Sequence, residues 1–509
     1  MRYGFVIDHT RCIGCHACTV ACKEEHNVPI GVNRTWVKYI EKGTFPDSSR
    51  HFGVLRCNHC DDAPCIEICP TVALFKRDDG IVDFDNTLCI GCKACMQACP
   101  YDALYIDPDE NTAAKCNFCT HRVETGMQPA CEVVCPVEAI ISGDLDDPAS
   151  RISTIVANEN VTVRKPEKKT EPKLFYVGVD PDVLEPARQR TASTYMSAER
   201  HPDEHPHADA TRPAAREAGD PLVVYDAPHP TPWGWMIGAY LWTKSIGAGA
   251  LMIPALLIAI GYAAEETLFR TAAPLMALGF TGVTTFLLVA DLKRPERFLF
   301  LLFKPNLRSW LVIGGYILIL YSIFSGVWFL IGLTGSAPPG VMRILAGVIG
   351  VATACYSAFL FAQAKARDLW QSRAFFWHLI LQAFVAGGAA LMIAGVVIGV
   401  EDRTLYGVRN TVGIALVVSL ILTLSEIAMP MSRDARRAHE LMIRGPLRKR
   451  FWGYAIALGT VAPLLILLWA SSQIEPSWQL YVSASLLAWL GVWVSESLWV
   501  EAGQAVPLS

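Results

Sequence analysis

Sixteen of the seventeen cysteines lie between Cys12 and Cys135, and their spacing is what could do chemistry in this chain. They form four groups. The first is Cys12-x2-Cys15-x2-Cys18-x3-Cys22, and the second Cys57-x2-Cys60-x4-Cys65-x3-Cys69-Pro70. The third is Cys89-x2-Cys92-x2-Cys95-x3-Cys99-Pro100, and the fourth Cys116-x2-Cys119-x11-Cys131-x3-Cys135-Pro136. Three closely spaced thiolates on one tight loop cap three irons of a cubane, while the fourth, at the start of the next short helix, points toward a neighbouring cubane. Sixteen thiolates fill four [4Fe–4S] clusters with none left over. Structural zinc is the alternative, but zinc sites use pairs of C-x2-C separated by longer spacers. Disulfide frameworks belong to short secreted chains.

The groups repeat. "CPTVAL", "CPYDAL" and "CPVEAI" close groups two, three and four, and "CIGCHAC" in group one echoes "CIGCKAC" in group three. This is the pattern of a duplicated two-cluster bacterial ferredoxin, with an insertion between Cys119 and Cys131. Residues 1 to about 178, including the tail "SGDLDDPASRISTIV…EPKLFYVG", resemble the four-cluster electron-transfer subunit of the DMSO reductase and polysulfide reductase families. That resemblance implies that groups one and four share two clusters and groups two and three the other two. Cys12, Cys15 and Cys18 then take Cys135, and Cys22 completes Cys116, Cys119 and Cys131. Likewise Cys57, Cys60 and Cys65 take Cys99, and Cys69 joins Cys89, Cys92 and Cys95.

The elements that position this chemistry divide the 509 residues into two halves, because nearly all long apolar runs follow Trp233. The expected fold is α+β: a duplicated bacterial-ferredoxin-like domain over 1–180, then an all-α eight-helix transmembrane bundle over 233–501. Between them, 181–232 is rich in Pro, Ala, Arg, Asp and His without apolar periodicity, and reads as an exposed flexible linker. Its His201, His205 and His207 are assigned no chemistry. A net charge of −4 gives no sign of a nucleic-acid partner, and none is expected. The N-terminus shows neither an apolar signal region nor a twin-arginine pair, so no export signal is expected.

Eight apolar stretches are long enough to cross a hydrocarbon core, which takes about 20 residues: 234–262, 271–291, 309–333, 343–364, 374–400, 409–430, 451–473 and 478–500. Trp233, Trp235, Trp310, Trp377, Trp452 and Trp478 sit near their ends as interface anchors. The loops on the N-terminal side carry fifteen Lys and Arg against four opposite, which places the cluster domain on the cytoplasmic side of an inner membrane. "YLWTKSIGAGA" and "LVADLKRPERFLFLLFKPNLRSW" resemble the NrfD/polysulfide-reductase membrane subunits over most of 233–500. That resemblance implies a heme-free anchor reacting with menaquinone or ubiquinone, here fused to a cluster subunit that is usually a separate polypeptide.

An ionisable group inside a span is costly and is a functional candidate by default. Lys244 lies roughly 10–16 Å past the start of span one at 1.5 Å per residue, with Tyr240 one turn earlier as a natural hydrogen-bond companion. His378, Glu426, Glu496 and Asp291 complete the set, and all fall in the half of the membrane nearest the cluster domain. Together they are the candidate quinone and proton site. Structural alternatives stand beside this reading. Asp291 pairs with Arg294 or Arg297, Glu426 and Glu496 snorkel or support packing, and His378 is an interfacial histidine. Lys244 is too deep for such an account without a partner or a wet cavity. Cys355 reads as a small core residue.

The reading that unites these features is a subunit of a quinone-dependent respiratory oxidoreductase. Electrons pass along four clusters between membrane quinone and a partner catalytic subunit docked on the cluster domain. The family resemblance makes that partner a molybdenum or tungsten enzyme. The alternative is the iron–sulfur and anchor component of a larger quinol-oxidising, proton-translocating complex with heme-protein partners. The middle of the bundle has no evident carboxylate path for such translocation. A redox sensor needs one cluster, not four.

Overall fold

The computed structural model describes residues 1–197, 221–262, 266–429 and 431–509; the three linker histidines lie outside them. Short helices carry cysteines of all four groups: Ala17–Glu25, Pro64–Ile68, Ala94–Ala98 and Ala130–Val133. Each is entered by a tight loop. In groups one and three the repeated sequence takes the same backbone path, with Gly14 and Gly91 at φ 69° and 68° and His16 and Lys93 at φ 61° and 62°. These positive angles suit glycine and place successive thiolates on one concave surface.

Two four-stranded sheets frame the loops. In one, Tyr3–Asp8 lies between Ile140–Asp144, antiparallel, and Leu174–Val177, parallel, with Val161–Thr162 at the edge. The tail that follows the last cysteine group thus pairs back onto the first strand. The other sheet runs Arg190–Ser197, Leu222–Asp226, Thr35–Thr44, Asp47–Arg56. Its first two strands come from the stretch read as a flexible linker, which corrects that reading for Arg190–Ser197 and Leu222–Asp226; 198–220 lie outside the described residues. Leu222–Asp226 adds antiparallel to Thr35–Thr44, and Asp226 meets Lys38 at 3.1 Å with both side chains buried. A segment without apolar periodicity is held here by strand hydrogen bonds and one buried ion pair, whose breakage typically costs about 3–5 kcal/mol.

Among the described residues, eight helices long and apolar enough to span a membrane follow. They are Trp235–Ala259, Leu268–Ala290, Trp310–Leu333, Gly340–Gln363, Ala374–Ile398, Asp402–Ala428, Arg450–Ser472 and Trp478–Ala505, close to the expected boundaries. Small residues set the packing. Gly249 of the first span and Gly387 of the fifth are in backbone contact, as are Gly459 of the seventh and Gly491 of the eighth, so a Cβ at any of them would collide with main chain. The seventh span opens with a wide π-helical stretch, Arg450–Val461. An amphipathic helix, Arg433–Ile443, lies before it.

One continuous core joins the two halves, running from Phe5 through the cysteine groups to Trp233, Trp370 and Leu498. The Arg367 guanidinium is buried at this junction and donates to Gln97 Oε1 at 2.8 Å and to the Gln504 and Val506 carbonyls at 3.1 and 3.0 Å. Nearby, His229 Nδ1 lies 2.7 Å from Asp102, and the Ser509 hydroxyl 3.0 Å from its Nε2. Burial works against protonation of His229, but Asp102 and Asp226 override it and hold its pKa up at about 10. A histidine raised in this way stabilises the fold fully below its unfolded value near 6.5, and the contribution disappears as pH rises through about 10. The apparent melting temperature in detergent should therefore fall between pH 7 and 10 more steeply for this protein than for His229→Gln. Parallel pH profiles would remove the pair from the account.

Candidate functional site

The structure brings together cysteines from different groups of the sequence. One cavity is lined by Cys69, Cys89, Cys92 and Cys95, and another by Cys22, Cys116, Cys119 and Cys131. Cys60 and Cys65 lie within electrostatic reach of Cys57 and Cys99, and Cys12 and Cys18 within reach of Cys135; Cys15 neighbours Cys12. Main-chain N–H groups point at several sulfurs, among them Ala113 to Cys89 at 3.4 Å and Ala139 to Cys135 at 3.2 Å.

Arg56 tests whether these residues fit an iron–sulfur group. It ends a strand beside Cys57, is fully buried over the Phe5 ring at 4.7 Å, and donates through Nη1 to Cys131 Sγ at 3.0 Å. Its Nε and Nη2 are buried without a hydrogen-bond partner among the described residues. Two orphaned donors on a buried cation are expensive, and they suit an anionic cluster whose sulfides accept hydrogen bonds. Sequence reading passed over Arg56 because its neighbours Cys18, Cys116 and Cys131 come from distant groups.

The quartet of Cys69, Cys89, Cys92 and Cys95 faces the membrane half, which grips its loops by their carbonyls. Trp233 Nε1 donates to Cys92 O at 3.2 Å, Asn306 Nδ2 to Cys69 O at 2.8 Å and Arg297 Nη1 to Cys89 O at 3.0 Å. Asn306 and Arg297 belong to the loop "DLKRPERFLFLLFKPNLRSW". Asp291, in the same loop, pairs with Lys93 at 2.9 Å, next to Cys92, and not with Arg294 or Arg297 as the sequence alternative had it. Arg294 turns instead to the Glu110 carbonyl at 2.6 Å. Part of the basic excess on this side therefore serves docking.

The remaining candidates separate into two centres. In the first, Lys244 Nζ donates to Ala354 O at 2.6 Å and Ser357 Oγ at 2.8 Å, over the Tyr356 ring at 4.9 Å. Tyr240 reaches the same Ser357 hydroxyl, so it joins Lys244 through a shared partner. Glu496 accepts from Ser245 at 3.0 Å while its Oε2 is buried without a hydrogen-bond partner among the described residues. Cys355 is buried beside this centre. In the second, His378 Nε2 meets Glu426 Oε2 at 2.7 Å, and Ser372 donates to Glu426 Oε1 at 2.8 Å. This pair lines a cavity bounded by spans five to eight and the helix Arg433–Ile443, which adds His439. His439 was missed because it lies outside every apolar stretch.

Family models match accordingly. Residues 11–74 and 50–145 each match a 4Fe-4S dicluster domain, and residues 224–507 match polysulphide reductase, NrfD. Among curated relatives, a tetrathionate reductase subunit of Salmonella typhimurium is 44% identical over 193 residues, 37% of this chain and 77% of that protein. A polysulfide reductase component of Wolinella succinogenes is 41% identical over 181 residues, 35% of this chain and 94% of its own length. Protein NrfC of Escherichia coli is 44% identical over 180 residues, covering 35% and 81%.

The orphaned donors of Arg56 make one measurement informative. Replacing Arg56 with Met removes a buried positive charge beside three cysteines and should make electron uptake less favourable. An EPR-monitored redox titration is expected to show one iron–sulfur signal moved to a more negative potential, with iron content retained. An unmoved set of potentials would assign Arg56 to packing alone. With its dicluster domains fused ahead of an eight-span membrane half, this protein belongs to the polysulphide reductase, NrfD, family and is an electron-transferring membrane subunit of an oxidoreductase complex.

Proposed function

We propose that this chain carries electrons between a partner catalytic subunit and membrane quinone through four [4Fe–4S] clusters. The observation that carries the reading is the grip of the membrane half on the loops of Cys69, Cys89 and Cys92. It seats one quartet against the bundle, with two centres of ionisable residues in the adjacent half of the spans. When bound, such clusters supply one-electron transfer. Their ligands are Cys12, Cys15, Cys18 and Cys135; Cys22, Cys116, Cys119 and Cys131; Cys57, Cys60, Cys65 and Cys99; and Cys69, Cys89, Cys92 and Cys95.

The chain's own residues then have distinct tasks. Buried backbone donors and Arg56 balance the thiolate charge. Lys93 and Asp291 hold the junction. The Lys244–Glu496 and His378–Glu426 centres handle the protons that accompany quinone chemistry. The relatives named above include components of tetrathionate and polysulfide reductases, which supports a partner of the molybdenum or tungsten class docking on the cluster domain at quartets far from the membrane. The basic loops support an inner-membrane placement with the cluster domain toward the cytoplasm.

The test is reduction of the clusters by added quinol in the native complex, purified in mild detergent with its partner. EPR signals of reduced clusters are expected to grow with quinol and to return to baseline with the partner's oxidised substrate. Clusters that ignore quinol in an intact complex would sink the quinone reading.

A further inference from the structure

Eleven residues separate Cys119 from Cys131, where the corresponding gap in the other groups is two or four, and electron transfer by itself does not call for them. They form a short helix, Thr120–Val123, and a turn that returns to the helix Ala130–Val133. Arg122 Nε donates to Gln128 O at 2.9 Å and closes the segment on itself. From this segment His121 Nε2 meets Glu25 Oε1 at 2.7 Å, and Arg122 Nη1 donates to Glu25 Oε2 at 3.1 Å. Glu25 is the last residue of the group-one helix Ala17–Glu25. The insertion thus clamps the end of a helix that precedes it by nearly the whole cysteine region.

The residue after the clamped one is His26. Its Nε2 lies 3.1 Å from Cys119 Sγ, and its ring stands edge-on to His121 with centroids 5.3 Å apart. His26 lines the cavity of Cys22, Cys116, Cys119 and Cys131, where Arg56 donates to Cys131. A cysteine bound to iron is a thiolate and can only accept, so Nε2 is the nitrogen that carries a proton and donates. Spacing could not show this, because His26 stands outside the cysteine pattern and 93 residues before Cys119. His26 also ends its helix, where a histidine suits the backbone dipole. That role needs the ring to face the last helix carbonyls, whereas Nε2 faces the sulfur.

We propose that His26 sets the reduction potential of the cluster held by Cys22, Cys116, Cys119 and Cys131, and that the insertion after Cys119 positions it. Negative charge on the sulfur grows when the cluster gains an electron, so an N–H donor stabilises the reduced form more than the oxidised one and raises the potential. The step is a one-electron reduction of the cluster; His26 keeps its proton throughout. It acts through Cys119 and is a positioning residue. The inference rests on the four-cluster reading above and is independent of the quinone.

The experiment is an EPR-monitored redox titration of the native complex carrying His26→Leu or His26→Gln, with iron content measured in each. His26→Leu is expected to make reduction of one cluster about fivefold less favourable, a shift of ~40 mV to more negative potential at about 59 mV per tenfold for one electron. His26→Gln, whose amide can still donate, should recover part of that shift. Glu25→Ala, which releases the clamp and leaves His26 in place, should move the same signal the same way by less. The signal concerned is expected to be the one that Arg56→Met moves, since Cys119 and Cys131 line one cavity. Unmoved potentials in His26→Leu with full iron content overturn the proposal, as do equal shifts in the Leu and Gln variants or a shift in a different signal. In unsubstituted protein with isotope-labelled histidine, pulsed EPR of that signal should show coupling to a histidine nitrogen. If His26→Leu loses iron, this coupling decides, and its absence overturns the proposal. Missing iron in the unsubstituted complex is instead a failure of the four-cluster reading.

Discussion

Three main-chain carbonyls, of Cys69, Cys89 and Cys92, accept hydrogen bonds from side chains of the membrane half, and the rest of the architecture follows from that grip. A cluster loop spends its N–H groups on thiolates, which leaves its carbonyls facing outward and in need of donors. Asn306, Arg297 and the indole of Trp233 supply them. Because carbonyls belong to the backbone, the grip fixes the position of the whole loop and not merely one rotamer. Cys69, Cys89, Cys92 and Cys95 are therefore held against the bundle through the backbone of their loops.

Charge is handled consistently on both sides of this junction. Arg367, Lys93 and Asp291 are all taken from water there, and each has a partner from the other half: Gln97 for Arg367, and Lys93 and Asp291 for one another. Lys38 and Asp226 repeat the device in the second sheet. Such pairs add little net stability over apolar packing, but a wrong register would leave an ion buried alone at a cost of several kcal/mol. Their contribution is to permit one docking geometry. Glu496 Oε2 and Gln382 Oε1 have no hydrogen-bond partner among the described residues, and both lie in the half of the bundle that faces the cluster domain.

What was legible in the sequence is what depends on local spacing. The cysteine groups and the eight spans are periodic features, written in neighbouring residues, and the structure has them where spacing puts them. The family models agree in both halves. What was not legible depends on residues brought together from afar. Leu222–Asp226 looked like tether because its strand partner, Thr35–Thr44, lies about 180 residues earlier. Asp291 was matched with nearby arginines because Lys93 was not in view. Six polar residues in one half of the membrane suggested a single site. Helix rotation, which composition does not encode when spans are apolar all round, sends Lys244 and Glu496 to one centre and His378 and Glu426 to another.

Fusion changes the demands on this interface. The relatives named above match about a third of this chain; a cluster subunit made as a separate polypeptide would have to dock onto an anchor in a bimolecular event that overcomes lost translational freedom. In one polypeptide the anchor is present at an effective concentration in the millimolar range, and a weak, wet interface would suffice to keep the halves together. The structure shows the opposite: across the junction Arg367, buried, donates to the buried Gln97, and the buried Trp233 donates to Cys92 O. A dry, register-specific interface beyond what tethering needs is explained by electron transfer, which depends on distance and not on affinity. The covalent link keeps the halves together; the buried junction holds the quartet of Cys69, Cys89, Cys92 and Cys95 at one separation from the bundle.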